Sequence, residues 1–167
     1  YNTLVISPPQ CGKTTILRDI ASNLSNGIAE YNFKGIKVGI VDERSELAAC
    51  YKGIPQNDVG IRTDVLDGCP KSKGMLMMIR SMSPRVIITD EIGNEGDREA
   101  VISVLNAGVK IITSAHGYNI SELKSRREVL KLIEDRIFER YVVLGNSNGP
   151  GTLVEVVDGI SMKPLRS

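Results

Sequence analysis

The chain has 167 residues, of which 41% are hydrophobic and 25% charged, and its formal net charge is +1. This composition is typical of one globular domain with a buried core. The near-neutral charge excludes a strong attraction for nucleic acid or anionic membranes. The three cysteines include no Cys-x-x-Cys pair, which argues against a disulfide framework and a zinc site. No apolar run approaches the length of a membrane span.

We therefore expect a single domain over residues 1–167. The first predicted strand begins only a few residues after Tyr1, and no initiator methionine precedes it. We interpret the chain as the C-terminal fragment of a longer protein whose N-terminal domain is absent.

The strongest motif lies between the first predicted strand and the first predicted helix. Leu4-Val5-Ile6 predicts a short buried strand, and apolar residues from Ile16 to Leu24 recur at helical spacing, with a stop at Gly27. A loop that carries Gly-Lys-Thr where the helix opens is typical of a P-loop. The expected phosphate-binding residues are Gln10, Cys11, Gly12, Lys13, Thr14 and Thr15.

In this interpretation each group of the P-loop has its own task. Backbone N–H groups surround the phosphates of ATP at a helix N-terminus, Lys13 reaches the outer phosphates, and the Thr14 hydroxyl binds Mg²⁺. The full motif would have glycine at Ser7. Because serine adopts a positive φ less readily than glycine, we expect an altered or strained loop there.

The remaining elements alternate between strand and helix, which predicts an α/β fold with a mostly parallel sheet flanked by helices. In chain order we expect strand Val38–Val41, helix Ser72–Ser81, strand Val86–Ile88, helix Gly96–Ala107, strand Val109–Ala115 and a helix from Asn119 or Ser121 to about Glu134. Residues 48–70 are expected to be loop with short elements. Strands Phe138–Leu144 and Thr152–Asp158, with a glycine-rich connection, predict a C-terminal β-hairpin.

A pair of carboxylates ends the strand at Val86–Ile88. The carboxyl ends of parallel strands meet at one edge of a sheet, so Asp90 and Glu91 are expected near the P-loop. Asp90 would hold Mg²⁺, directly or through water. Glu91 would orient the attacking water and accept its proton.

Two further polar residues follow predicted strands. His116 is the only histidine and ends the strand Val109–Ala115, where it could sense the γ-phosphate. Glu43 lies in an acidic run and either helps to position water or Mg²⁺ or belongs to a solvated loop. No arginine is an evident stabiliser of the transition state, so a neighbouring subunit could supply one. The candidates are Arg44, Arg62, Arg80, Arg98 and Arg140.

The glutamate after Asp90, with strand Val38–Val41 between P-loop and Asp90, resembles the additional-strand, catalytic-glutamate class of RecA-like P-loop ATPases. Four boxes together resemble the ATPase superfamily of bacterial type II and type IV secretion motors. Besides the P-loop, they are the acidic box Val41–Glu46, the box from Asp90 through Glu99 and the histidine box Thr113–Asn119, and Gly108 lies where the superfamily has a glycine before that strand.

Within that superfamily, Ile61–Pro70, Met82-Ser83-Pro84 and Gly149-Pro150-Gly151 resemble one family that acts in endospore formation. This resemblance implies a cytoplasmic ATPase that is peripheral at the membrane through its partner proteins. It also implies a homo-oligomer, a hexameric ring, which energises a channel between mother cell and forespore. The implied partners are membrane-associated secretion or channel proteins.

Two other functions remain open from the sequence. A non-hydrolysing ATP-binding assembly module fits Ser7 and the lack of an evident arginine. A small-molecule P-loop kinase is the other, although the Asp90-Glu91 pair disfavours it. A nucleic-acid motor is disfavoured by the near-neutral charge and the 4% aromatic content.

Overall fold

The computed structural model describes residues 1–166, and Ser167, the last residue of the predicted domain, lies outside them. The helices are α1 (Lys13–Asn26), α2 (Lys71–Ser81), α3 (Glu95–Asn106) and α4 (Arg127–Glu134). The strands are β1 (Thr3–Ser7), β2 (Val38–Asp42), β3 (Thr63–Asp67), β4 (Val86–Glu91), β5 (Lys110–His116), β6 (Arg140–Gly145), β7 (Thr152–Asp158) and β8 (Pro164–Arg166).

Within residues 1–166 the strands form one sheet of eight, in the order β3-β2-β4-β5-β1-β6-β7-β8. The six strands from β3 to β6 pair in parallel, and β7 and β8 add antiparallel pairs. The predicted α/β fold and the C-terminal hairpin are therefore confirmed. The parallel arrangement also brings the carboxyl ends of β1, β2, β4 and β5 to a single edge of the sheet.

Apolar side chains bury both faces of the sheet. On one face, Leu17 and Ala21 of α1 pack with residues of β2 and β4. On the other, Met75 of α2, Val101 of α3 and Leu132 of α4 join a second cluster. No helix within residues 1–166 combines the length and the apolar character that crossing a bilayer requires.

The additional strand of the sheet is not the one expected from the sequence. The P-loop strand β1 is separated from the Asp90 strand β4 by β5, whereas Val38–Val41 belongs to β2 on the far side of β4. The order of strands along the chain is not their order in the sheet, because crossover connections can pass over a neighbouring strand. The class is as expected, but the residues of the inserted strand are different.

A five-residue strand lies within the region that we expected to be loop with short elements. β3 pairs in parallel with β2, and its five residues are Thr-Asp-Val-Leu-Asp. At the outer edge of the sheet this strand is only partly buried, so its composition lacks the apolar run that marked the central strands. β8 is a second short edge strand that the sequence did not predict.

The helix expected from Asn119 to Glu134 is interrupted. Asn119 Oδ1 does accept a hydrogen bond from the Glu122 N–H at 2.9 Å, but the element that follows is a short 3-10 helix, Glu122–Ser125. Arg126 then has an extended backbone (φ −99°, ψ 100°), and α4 begins at Arg127. Because of this break, Arg126 lies between two helical segments and is not part of a continuous helix.

Candidate functional site

The loop between β1 and α1 has the backbone expected for an anion site. Gln10 and Gly12 have positive φ values of 60° and 74°. No side chain caps α1, and its first turn has no acidic residue. The first N–H groups of the helix are therefore available to an anion, and the helix dipole favours a negative charge there.

Ser7 does not carry the strain that we expected. Its φ is not positive, since the positive values fall at Gln10 and Gly12 instead. Ser7 is fully buried, and its hydroxyl donates to the Pro8 carbonyl at 2.9 Å. The expectation was wrong because the loop turns later in the chain than the first position of the motif.

The connection between β6 and β7 leaves little room for a side chain at Gly12. A β-carbon placed on Gly12 would stand 3.3 Å from the backbone nitrogen of Gly151. This separation is tighter than most real contacts of a Cβ atom. The connection between β6 and β7 thus lies directly against the P-loop.

A crevice of about 260 Å³ opens beside this loop, and most of the predicted site residues line it. They are Gln10, Cys11, Gly12, Lys13, Thr14, Asp90, Glu91 and His116, together with Pro8, Arg44 and Glu46. Thr15 is exposed and is not among the lining residues. Glu43 lines an adjacent cavity instead.

The Asp90 carboxylate reaches the crevice through an irregularity in the sheet. The pairing of β4 with β5 shifts register between Ile88 and Glu91, as at a β-bulge. The Thr113 hydroxyl of β5 donates to the Asp90 carbonyl within this irregularity. Bulges re-aim side chains at the ends of strands, and this one lies where Asp90 and Glu91 leave the ladder.

A chain of charged and polar side chains crosses the mouth of the crevice. Lys13 Nζ lies 3.2 Å from His116 Nε2, and the same ring nitrogen lies 3.3 Å from Glu91 Oε2. The other carboxylate oxygen of Glu91 pairs with the Arg126 guanidinium. One ring nitrogen cannot accept from Lys13 and donate to Glu91 at once, so the protonation of His116 decides which contact is a hydrogen bond.

The Lys13 ammonium is held in a partly dehydrated place. Burial lowers the pKa of Lys13, and the charges of Glu91 and Asp90 offset part of that effect. A phosphate group would restore a close negative partner to this cation.

Two basic residues of this region were not predicted from the sequence. Arg126 lies at the helix break and pairs with Glu91, although the two residues are 35 positions apart in the chain. Lys71 is 6% exposed, and its ammonium lies 2.9 Å from Glu43 Oε2 and 3.0 Å from Asp90 Oδ1. Neither residue belongs to a local motif, although a lysine at the first position of a helix is an unusual choice that could have drawn attention.

The acidic run after β2 divides into different tasks. Asp42 is fully buried, and its carboxylate accepts from the N–H groups of Glu46, Leu47 and Ala48 at 2.8–2.9 Å. These hydrogen bonds to Asp42 therefore stabilise the loop conformation in which Glu43 lies beside Lys71. Glu43 itself is exposed, contacts Lys71 next to Asp90 and does not line the P-loop crevice, and its part in positioning water or Mg²⁺ stays a prediction.

Three of the five arginines considered for a neighbouring site have partners within the chain. Arg62 donates to the Ser25 carbonyl, Arg98 pairs with Glu128, and Arg140 pairs with Asp158. Arg44 lines the crevice, and Arg80 lies exposed on α2.

The donors beside the P-loop fit a magnesium ion that is shared with a nucleotide. Mg²⁺ prefers hard oxygen ligands and is usually held by one or two protein groups together with phosphates. The Thr14 hydroxyl and the Asp90 carboxylate both line the crevice. Among residues 1–166 there is no cluster of three or more His, Cys, Asp or Glu side chains that could form an all-protein metal cage. The residues present are thus suited to Mg²⁺ with its phosphates.

The fold is that of the P-loop ATPases of secretion systems. It superposes on the DotB ATPase of Legionella pneumophila with a TM-score of 0.65 and 16% identity, over 95% of this chain and 45% of that one. The VirB11 ATPase of the Brucella suis type IV secretion system, solved with sulphate, gives 0.63 and 16%, over 96% and 49%. The pilus retraction motor PilT, solved with ADP, gives 0.56 and 15%, over 84% and 40%.

The chain belongs to the sporulation stage III protein AA family, whose family model matches residues 1–162. It is 54% identical over 157 residues to stage III sporulation protein AA of Bacillus subtilis, covering 94% of this chain and 50% of that protein. It is also 32% identical over 134 residues to the uncharacterized protein ycf45 of Cyanidium caldarium, covering 79% and 38%. The chain thus spans half or less of the length of these relatives, and the family expected from the motifs is confirmed.

Proposed function

We propose that this chain binds Mg·ATP and hydrolyses it as the motor domain of a secretion-type ATPase. The observation that supports this most directly is the convergence of Lys13, Asp90, Glu91 and His116 on the crevice at the N-terminus of α1. The family and the fold agree with it, since the structural relatives are ATPases by name.

Each residue has a separate part in the proposed reaction. The P-loop N–H groups and Lys13 bind the phosphates, and Thr14 and Asp90 hold the metal. Bound Mg²⁺ supplies neutralisation of the charge on the phosphate oxygens. Glu91 accepts a proton from water, which contributes about 10²- to 10⁴-fold to the rate. His116, within reach of both Lys13 and Glu91, reports whether the outer phosphate is present.

The cellular part of the proposal follows from the family. We place this activity in a hexameric ring, peripheral to a membrane through channel proteins, that energises a complex between mother cell and forespore. In such a ring a neighbouring subunit would complete the site with an arginine. Arg44 and Arg80 are the candidates without a partner assigned above.

Phosphate release from Mg·ATP, measured across a wide range of protein concentrations, tests the proposal. We expect specific activity to rise with concentration, to vanish in Lys13→Ala and to fall sharply in Glu91→Gln. The matched controls are Lys34→Ala and Glu30→Gln, which remove exposed charges far from the crevice and should behave as the wild type. Failure to bind ATP in a Lys13-dependent way would overturn the proposal.

One contact favours a second candidate, an ATP-binding module that does not hydrolyse. Glu91, the proposed base, is engaged by Arg126 and lies beside His116. A carboxylate held in an ion pair is not free to orient water. Lys13-dependent ATP binding without phosphate release, at every protein concentration, would establish this module instead of the hydrolase.

A further inference from the structure

Lys71 is a buried cation to which the proposed reaction assigns no part. Lysine is almost never buried unless its charge is paired, and Lys71 is only 6% exposed. It is also the first residue of α2, where the helix dipole disfavours a positive charge. Burial alone would lower the pKa of Lys71, but its pairing with the carboxylates of Glu43 and Asp90 outweighs this and raises it.

The ammonium joins two acidic side chains from neighbouring strands. It lies 2.9 Å from Glu43 Oε2, in the loop after β2, and 3.0 Å from Asp90 Oδ1, at the end of β4. β2 and β4 are adjacent and parallel in the sheet. Lys71 therefore fixes the spacing between the two carboxylates at the edge where the P-loop lies.

The two oxygens of Asp90 have different surroundings. Oδ1 is fully buried and has no well-directed hydrogen bond, so the ammonium at 3.0 Å is the group that compensates its charge. The Asp90 side chain as a whole keeps 15% exposure, which must come from its other atoms. Asp90 lines both the P-loop crevice and the cavity that contains Lys71. Lys71 thus contacts the buried oxygen of this carboxylate and leaves its other oxygen free of that contact.

We propose that Lys71 is a positioning residue for the metal: it holds Oδ1 of Asp90 and the Glu43 carboxylate so that the second oxygen of Asp90 is presented to nucleotide-bound Mg²⁺. This inference rests on the proposed function and adds a residue to its metal site. Without the ammonium, a buried carboxylate oxygen would lack any compensating group and the side chain would turn to reach water. Groups that contact a metal ligand, and not the metal, and so fix its orientation typically contribute about 10- to 100-fold to metal affinity.

The test measures binding and not turnover. A fluorescent ATP analogue is titrated onto the wild type and onto Lys71→Met, first with a chelator and then over a series of free Mg²⁺ concentrations. We expect both proteins to bind the analogue alike in chelator, because the P-loop is intact. Lys71→Met should need about 10- to 100-fold more Mg²⁺ for the metal-dependent gain in affinity. Lys73→Met, which changes an exposed lysine of the same helix, should need the same Mg²⁺ as the wild type.

A second variant separates orientation from charge and guards against misfolding. Lys71→Gln keeps a hydrogen-bond donor without the charge, so its Mg²⁺ requirement should lie between those of the wild type and Lys71→Met. Thermal melts in chelator report whether each variant is folded. If Lys71→Met is unfolded, the increase in Mg²⁺ requirement of Lys71→Gln over the wild type decides the matter.

Three results would overturn the inference while the proposed function stands. The first is a folded Lys71→Met with the Mg²⁺ requirement of the wild type. The second is a lower requirement, which would mean that the ammonium competes with the metal. The third is the unfolding of both Lys71 variants beside a folded Lys73→Met, which would make Lys71 a structural cation. If Mg²⁺ adds nothing to wild-type affinity, the inference and the proposed metal site fail together.

Discussion

Two clusters of ionised side chains in this fold have opposite balances of charge. At the carboxyl edge of the sheet, one ammonium, that of Lys71, faces two carboxylates. Between α3 and α4, one carboxylate, that of Glu128, faces Arg98 at 2.9 Å and Lys131 at 3.1 Å, with Arg127 at 3.8 Å. The first cluster has more carboxylates than cations, and the second has more cations than carboxylates.

The carboxyl pKa values reflect this difference. Burial raises the pKa of Asp90 above its usual value even though Lys71 lowers it. The hydrogen bond from Lys131, with a further one from Arg98, outweighs burial and lowers the pKa of Glu128. In the cluster between α3 and α4, basic side chains of the chain itself compensate the charge of the Glu128 carboxylate. The crevice cluster retains a negative charge that a divalent cation would satisfy.

The largest difference between the clusters should appear in activity. We expect Asp90→Asn to lower Mg²⁺-dependent phosphate release at least about 100-fold, because it removes the charge of a metal ligand. Glu128→Gln should change this rate little, since Glu128 does not line the P-loop crevice. Steady-state rates of the two variants beside the wild type provide the measurement. Equal losses would mean that both clusters act through the structure and not through the metal.

A smaller difference, of opposite sign, should appear in stability. In chelator near neutral pH, Asp90→Asn should raise the melting temperature, because a raised carboxyl pKa means that its ionised form is disfavoured in the fold. Glu128→Gln should lower it, because that carboxylate is favoured. Calorimetry on both variants checks the signs. Destabilisation by Asp90→Asn would show that Lys71 needs both of its carboxylates.

The smallest effect should be a difference in acid sensitivity. The pKa of Glu128 is lowered from its usual 4.5, so its stabilising contribution is present above that pH and is lost as the pH falls through the lower, folded-state value. The urea midpoints of wild type and Glu128→Gln should therefore differ at neutral pH and converge in acid. Glu30→Gln, which changes an exposed carboxylate, serves as the reference. A gap that stays constant with pH would assign the stabilisation to packing and not to charge.

The sequence predicted the parts of the molecule in which structure and chemistry are contiguous along the chain. The P-loop directly follows its strand, and Asp90 and Glu91 are the last residues of theirs, so an apolar run marks where each polar group emerges. Because parallel strands share one carboxyl edge, their meeting could be expected without any structure. An apolar run also located the predicted strand Val38–Val41, which the structure extends to Asp42.

The parts that were missed depend on partners far apart in the chain. Lys71 is 28 residues from Glu43, and apart from its place at the start of α2 nothing local distinguishes it from the exposed Lys73. The break at Arg126 is hidden in a charged run that is compatible with a continuous helix. The position of β5 between β1 and β4 is a property of the crossover connections, which leave no mark in a single sequence.

The contact between Gly12 and Gly151 has a consequence for how motion would pass through the molecule. Two backbones meet there with no side chain between them that could rotate and absorb a displacement. A shift of the P-loop on binding an anion would therefore be transmitted to the connection that leads into β7, at the opposite half of the sheet from Lys71. Nucleotide binding would then affect two parts of the molecule by separate routes. The region of Lys71 would respond through ion pairs, and β7 would respond through direct steric contact.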